Sequence, residues 1–176
     1  LVIYALGTDK YIPIKSKIKL QKLLFLVSNL FKEYDELFEF EPHLFGPYSE
    51  VIEEILQDLI KLGVVEQEGN QFLLTKKGKD IFIKIKPKRE LVHVVNDFRT
   101  FLNDLSQNEI LVFIYTSYPE YISESAKWEE LKPLRINISI SLLRKHLISY
   151  SKAVDISGLS SNNFEKRLIE RRIDWR

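Results

Sequence analysis

The chain has 176 residues, 45% of them hydrophobic and 29% charged, with a formal net charge of +1 at pH 7. That is the composition of an ordinary soluble globule, long enough to bury a core in one domain or two small ones. The absence of cysteine excludes disulfides, Cys-based zinc sites and thiol catalysis, and the lack of both a signal-like segment and an apolar run near the ~20 residues of a membrane span makes a cytoplasmic protein the expectation. Methionine is absent even at position 1, so the chain as written is not expected to be a complete translation product.

In chain order, Leu1 to Leu6 reads as a short apolar helix or arm, followed by a loop to Pro13. Residues 17–31, rich in Leu and Phe, predict the most buried helix, with Lys17, Lys19 and Lys22 on a solvated face. Residues 32–39 are acidic and loop-like. From Phe40 to Gly78 the pattern is an extended arm, a helix, a turn, a two-stranded ribbon and a new helix. Pro47 precedes the first of these helices and Ser49 can cap it. Val51, Ile52, Ile55, Leu56, Leu59, Ile60 and Leu62 form its apolar stripe, and Gly63 ends it. Val64 and Val65 begin a strand, Glu68-Gly69-Asn70 turns it, and Thr75 caps the next helix. Pro87 interrupts that helix. Arg89 to Leu105 repeats apolar residues at helical intervals, suiting either a dimerisation helix or packing on the chain's own core. Glu109 to Tyr115 is another apolar helix, and the tyrosines after it suit a core. Residues 126–135 read as a helix end and a linker broken by Pro133. A last unit of three helices follows: Ile138 to Leu147; a second capped by Ser149 and holding Ala153, Val154 and Ile156; then, beyond a turn at Gly158, a third capped by Ser160 or Ser161 with Phe164, Leu168 and Ile169 inward.

The order helix, Gly, ribbon and Leu74-Thr75-Lys76-Lys77-Gly78 resembles the winged helix of MarR-like and PadR-like regulators. The phrase Phe45-Gly46-Pro47-Tyr48-Ser49 also resembles one found in Panacea-type antitoxin domains. Together these resemblances cover roughly residues 1–90. Over the last forty residues the wording from Ile148 to Ile173, with its small residue, Gly turn and buried aromatic, is similar to small prokaryotic antitoxin-like helix-turn-helix proteins. The resemblances imply a mainly α protein with a winged-helix domain over 1–90, a helical linker or dimerisation region over 91–133 and a helix-turn-helix-like unit over 134–176.

Charge is sorted along the chain. Residues 91–130 hold 2 basic and 7 acidic residues, residues 131–176 hold 10 basic and 4 acidic, and Lys76 to Arg89 sets 7 basic residues against Asp80 alone. Sorted charge suggests surfaces for different partners. In the winged-helix template the helix after Tyr48 would enter the DNA major groove. Here its outward residues include Glu50, Glu53, Glu54 and Asp58, which oppose phosphates rather than neutralise them. That helix is expected to dock a basic partner surface instead, this chain's C-terminal segment or another subunit's. The better DNA candidates are the third C-terminal helix and the lysines after the ribbon. That helix opens with Ser160, Ser161, Asn162 and Asn163, which can bond phosphates and base edges, and continues with Lys166, Arg167, Arg171, Arg172 and Arg176. The lysines are Lys76, Lys77 and Lys79.

The histidines His43, His93 and His146 have no metal-ligand spacing, and no P-loop, dinucleotide fingerprint or nucleophile elbow occurs. No enzyme activity, metal or cofactor is expected. The sequence thus predicts a cytoplasmic DNA-binding regulator or antitoxin-like protein, a homodimer with double-stranded DNA and a toxin or other protein as partners. The alternative is a winged-helix interaction module that does not bind DNA and works through the acidic residues 50–58.

Overall fold

The computed structural model of the protein describes residues 1–175, so Arg176 lies outside the described residues. The fold is mainly helical with one two-stranded antiparallel sheet. The chain divides into two compact units, the first built from residues 1–41 and 47–104, the second from 42–46 and 105 onward.

The first unit is organised around α2 (Lys17–Ser28), in which every residue from Leu20 to Ser28 is buried. Ser16 caps it by accepting from the Lys19 amide. Helix α1 (Val2–Gly7), α3 (Lys32–Phe38), α4 (Glu50–Lys61) and the hairpin of β1 (Val65–Glu68) and β2 (Gln71–Leu74) accompany it, with α5 (Lys76–Phe82) and α6 (Arg89–Asn103) completing the unit. Residues 32–38 are therefore helical where a loop was expected. Phe38 is the reason: it is the buried residue of that turn of chain and stacks against Tyr34, so the acidic residues occupy an outer face. Helix α6 packs along α2 and buries Leu91, Val95 and Leu102.

The lysines of α2 are not a solvated face. Lys22 is 2% exposed, and its Nζ donates to the Pro47 carbonyl at 2.6 Å. Lys19 Nζ donates to the Leu102 carbonyl at 2.8 Å, at the end of α6, and Lys17 pairs with Glu53 at 2.7 Å. The next residue along, Gln21, accepts from the Ser49 amide and donates to the Ser49 carbonyl. Without these donors and acceptors the turn into α4 would leave the buried Ser49 amide and Pro47 carbonyl short of partners, a cost of about 1–3 kcal/mol each. A second buried cation, Arg99, donates to the carbonyls of Ala5 and Ile12. It secures α1 and the chain after it to α6.

Two of the sequence phrases acquire a local cause. Ser49 caps α4 by accepting from the Ile52 amide and donates its hydroxyl to the Phe38 carbonyl. At the other end of α4 the Gly63 amide donates to Ile60 and the Val64 amide to Leu59, with Gly63 at φ +66°, a left-handed helix stop. In the Leu74-Thr75-Lys76-Lys77-Gly78 phrase, Thr75 caps α5 by accepting from the Gly78 amide and donates to the Gly63 carbonyl. Gly78 itself lies so close to β1 that a Cβ there would stand 2.2 Å from the Val64 carbonyl oxygen. The hairpin pairs Val65 with Leu74 and Glu68 with Gln71, and Ile14 bridges to Phe72 from the outer side of β2.

The second unit comprises α7 (Gln107–Ser117), the short α8 (Trp128–Leu131), α9 (Arg135–Arg144), α10 (Tyr150–Ser157) and α11 (Ser161–Glu170). Ser106 and Glu109 form a reciprocal capping box at the start of α7. The stretch 126–135 is not a linker: α8 passes through a 3-10 turn at Lys132–Leu134 directly into α9. Pro133 fits there because the first turn of a helix needs no proline N–H, and Leu131 is fully buried. Helices α9 to α11 share a core of Ile140, Leu143, Ala153, Phe164 and Leu168. Ile169 is 60% exposed, contrary to the expectation that it points inward. At α11's spacing Phe164 and Leu168 already occupy the core-facing stripe, and the residue after Leu168 is turned about 100° away.

Replacing Gly78 by Ala should destabilise the protein by about 1–3 kcal/mol through steric conflict with β1, although the same change in an open helix gains about 1 kcal/mol; urea denaturation checks the sign. Burial lowers the Lys22 amine to about 7 from its ordinary 10.5. The unfolded chain therefore binds more protons between those values, and stability from this group rises as pH rises through that window. The Lys22→Met variant lacks that slope, so its deficit relative to the native chain should widen from pH 7 to 10 in denaturation curves at each pH.

Candidate nucleic-acid interface

In the second unit, α11 begins where Gly158, at φ +72°, reverses the chain out of α10. Ala153, fully buried on α10, provides the small residue of the pair, while Val154 lies half-buried at its side. A Cβ on Gly158 would meet the Arg135 guanidinium at 3.0 Å. Arg135 is held over the same turn by hydrogen bonds to the carbonyls of Ile156 and Asp155 and by the Trp128 ring, 5.6 Å from its guanidinium carbon. The positive φ is what calls for glycine at this turn.

Ser160 caps α11, its hydroxyl accepting from the Asn163 amide at 3.4 Å. Ser161, Asn162 and Asn163 are exposed in the first turn. The Tyr150 hydroxyl reaches the Ser161 carbonyl at 3.2 Å, with its ring packed near Phe164. Lys166 and Arg167 follow on the exposed side, and Arg167 pairs with Glu170 at 3.2 Å. Asn163, Lys166, Arg167, Glu170 and Leu159 line a shallow groove of about 320 Å³. Amide donors and acceptors at the capped end, followed by cations one turn on, are chemically able to bond base edges and phosphates together. Arg171 is turned away from this set, donating instead to the Asn137 side chain at 2.9 Å.

In the first unit, Lys76, Lys77 and Lys79 are all exposed, and two of them also serve α4 and the N-terminal segment. Lys77 Nζ donates to the Leu62 carbonyl at 2.8 Å, a favourable place for a cation because carbonyls accumulate negative charge at a helix C-terminus. Lys79 lies 5.2 Å from the centre of the Tyr11 ring. The acidic helix presents Glu50, Glu54 and Asp58 to solvent, Asp58 pairing with Lys61. Glu53 stands apart: its side chain is 23% exposed and ion-paired with Lys17, so it serves the tie between α2 and α4.

Sequence reasoning passed over a charged centre in the second unit. Glu109 is 6% exposed. It receives hydrogen bonds from Lys145 Nζ at 2.8 and 3.0 Å, from the Ser141 hydroxyl at 2.8 Å and from the Ser106 amide at 2.8 Å. Burial alone would raise its pKa, but the donors from Lys145, Ser106 and Ser141 outweigh it and hold the carboxyl at about 2. The Ser-x-x-Glu phrase at 106–109 signals the capping box. Nothing in linear spacing brings Ser141 and Lys145 to the same carboxylate from another helix.

Among the described residues, no group of His, Asp and Glu is arranged to hold a metal ion, and no helix is long and apolar enough to cross a membrane. No family model, curated protein or solved structure matches the chain.

Because the folded Glu109 carboxyl titrates below its ordinary 4.5, the stability it contributes is complete above that value and is lost as pH falls toward 2. Glu109→Gln should destabilise the protein by about 1–3 kcal/mol at neutral pH. The deficit should shrink between pH 4.5 and 2, as measured by denaturation across that range.

Proposed function

We propose that this chain is a DNA-binding regulator, with α11 as its sequence-reading helix. In this reading α9, α10 and α11 form a helix-turn-helix-like unit. Helices α4 and α5 with the hairpin form a winged helix whose lysines supply further phosphate contacts. The observation that carries the reading is the end of α11. A serine-capped, exposed first turn of Ser161, Asn162 and Asn163 is followed by Lys166 and Arg167 on one groove, and the whole helix is fixed from behind by Phe164 and Leu168. Rigid support matters because base readout requires side chains that are already placed. The resemblance to antitoxin-like modules at both ends of the chain suggests autoregulation beside a toxin. It also suggests a homodimer, which would read two half-sites, and a cytoplasmic location.

A second reading has a specific observation in its favour. The exposed face of α4 carries Glu50, Glu54 and Asp58, so in the winged-helix pose it would set carboxylates against phosphates. An interaction module that docks a basic protein surface on α4 accounts for that face without any DNA contact.

The deciding measurement is binding of mixed-sequence duplex DNA by fluorescence anisotropy across a salt series. The regulator reading expects affinity that falls steeply with salt. It also expects Lys166→Gln with Arg167→Gln to flatten that salt slope by about 2, while Asn162→Ala with Asn163→Ala weakens preferred sequences more than random ones. Full affinity in both double variants would remove α11 from the interface. No binding at low salt would hand the function to the acidic face of α4.

A further inference from the structure

A second concave site in the same unit shares no residue with the α11 groove. It is an open groove of about 540 Å³ along one side of α9, bordered by the segment after α11. Asn137, Ser141, Arg144 and Lys145 recur at helical spacing and so line it from α9, and Arg171 faces them from the end of α11. Its floor is apolar, formed by Ile140 and Ile173.

The groove owes its far wall to a turn of the backbone. Arg172 adopts φ +54°, its amide donating to Ile169 and the Ile173 amide to Leu168, so the chain folds back and sets Ile173 against α9. The hydrogen bond from Arg171 to Asn137 fixes the guanidinium over the opening. Lys145 is fixed from the other side by Glu109, as Ser141 is. Arg171, Lys145 and Ser141 are therefore held in place before any ligand arrives, which removes part of the ordering cost of binding.

Among the described residues lining the groove, three are cations, Arg144, Lys145 and Arg171, and Lys145 is paired with the buried Glu109. That set matches a phosphate group, whose charge near neutral pH is about −1.5 to −2. Arginine forks bond phosphate oxygens in pairs, and Arg144 and Arg171 provide two of them. A helix C-terminus ordinarily repels anions. Here the last carbonyls of α9 already accept hydrogen bonds: Ser141 from the Lys145 amide, Leu143 from the His146 amide and Leu142 from the Leu147 amide. The size and the apolar floor suit a ligand with one flat or apolar moiety beside its phosphate.

We infer that this groove binds a small phosphorylated ligand of about nucleotide size through Arg144, Lys145 and Arg171. It would be an effector site separate from the surface that reads DNA. The inference does not depend on that reading, because its test contains no DNA.

Isothermal titration of the full chain with ADP, and separately with inorganic pyrophosphate, is the experiment. At least one should bind saturably with a Kd below about 1 mM. Arg144→Gln with Arg171→Gln should weaken that binding by about tenfold or more, while Lys166→Gln with Arg167→Gln leaves it within about twofold. Arg144→Lys with Arg171→Lys keeps the charge but loses the forks, and an intermediate affinity is expected should the Gln variant fail to fold. Absence of saturable binding up to about 10 mM of either probe would overturn the inference. Binding that both Arg144/Arg171 variants leave unchanged would overturn it as well.

Discussion

Two adjacent polar residues on the most buried helix of the protein, Gln21 and Lys22, hold the backbone of Pro47 and Ser49, and the first unit depends on that tether. The chain enters α4 through irregular backbone whose amides and carbonyls are withdrawn from water, and such groups must find partners inside the protein. A Gln side chain carries both a donor and an acceptor, so it can serve both polar groups of one peptide residue. The lysine supplies a longer reach for the carbonyl one step further out. Arg99 repeats the solution with Ala5 and Ile12. Buried basic side chains that donate to carbonyls thus recur in this unit, and Lys22 and Arg99 are unavailable to a polyanion for that reason.

The second unit handles charge differently. A buried carboxylate, Glu109, gathers a lysine and a serine from another helix, while arginines stand outside around two separate grooves. Removing one member of such a cluster leaves the others uncompensated, which is why its contribution exceeds that of the exposed pairs between neighbours on one helix. The same cluster immobilises Lys145 at the edge of the larger groove, so a structural contact also shapes a candidate ligand site.

The exposed charges divide between the units in a way that bears on function. On α4 they are mainly carboxylates, on α11 Lys166 and Arg167 stand with Glu170 beside exposed amides, and the lysines after the hairpin are partly engaged with a helix end and an aromatic ring. Phosphate neutralisation supplies most of the affinity for nucleic acid, and the exposed carboxylates of α4 oppose it, whereas α11 offers Lys166 and Arg167 beside its amides. A chain that keeps both faces has the means to bind partners of opposite charge.

The elements themselves were legible in the sequence wherever a local rule governs them. Ser49, Thr75, Ser149 and Ser160 cap the helices they precede. Gly63 and Gly158 end helices in the left-handed region, and apolar spacing located α6 and α7. These features depend on residues within one or two turns of each other, so linear order contains them. What linear order lacks is the partner across space. Lys22 reads like any helix-surface lysine until Pro47 is brought above it, and Phe38 turns an acidic stretch into a helix only because a core receives it. Pro133 reads as a break until the buried Leu131 shows the chain passing through it as a helical turn. Glu109, Ser141 and Lys145 meet only through the packing of α7 and α9, and the groove of Arg144 and Arg171 exists only because Arg172 reverses the chain. Sequence by itself determined the helices, their ends and the segregation of charge, since those follow from local backbone chemistry and composition. Tertiary structure alone decided which charges are consumed in holding the fold and which remain to meet a ligand, since that depends on burial and on partners distant in the chain.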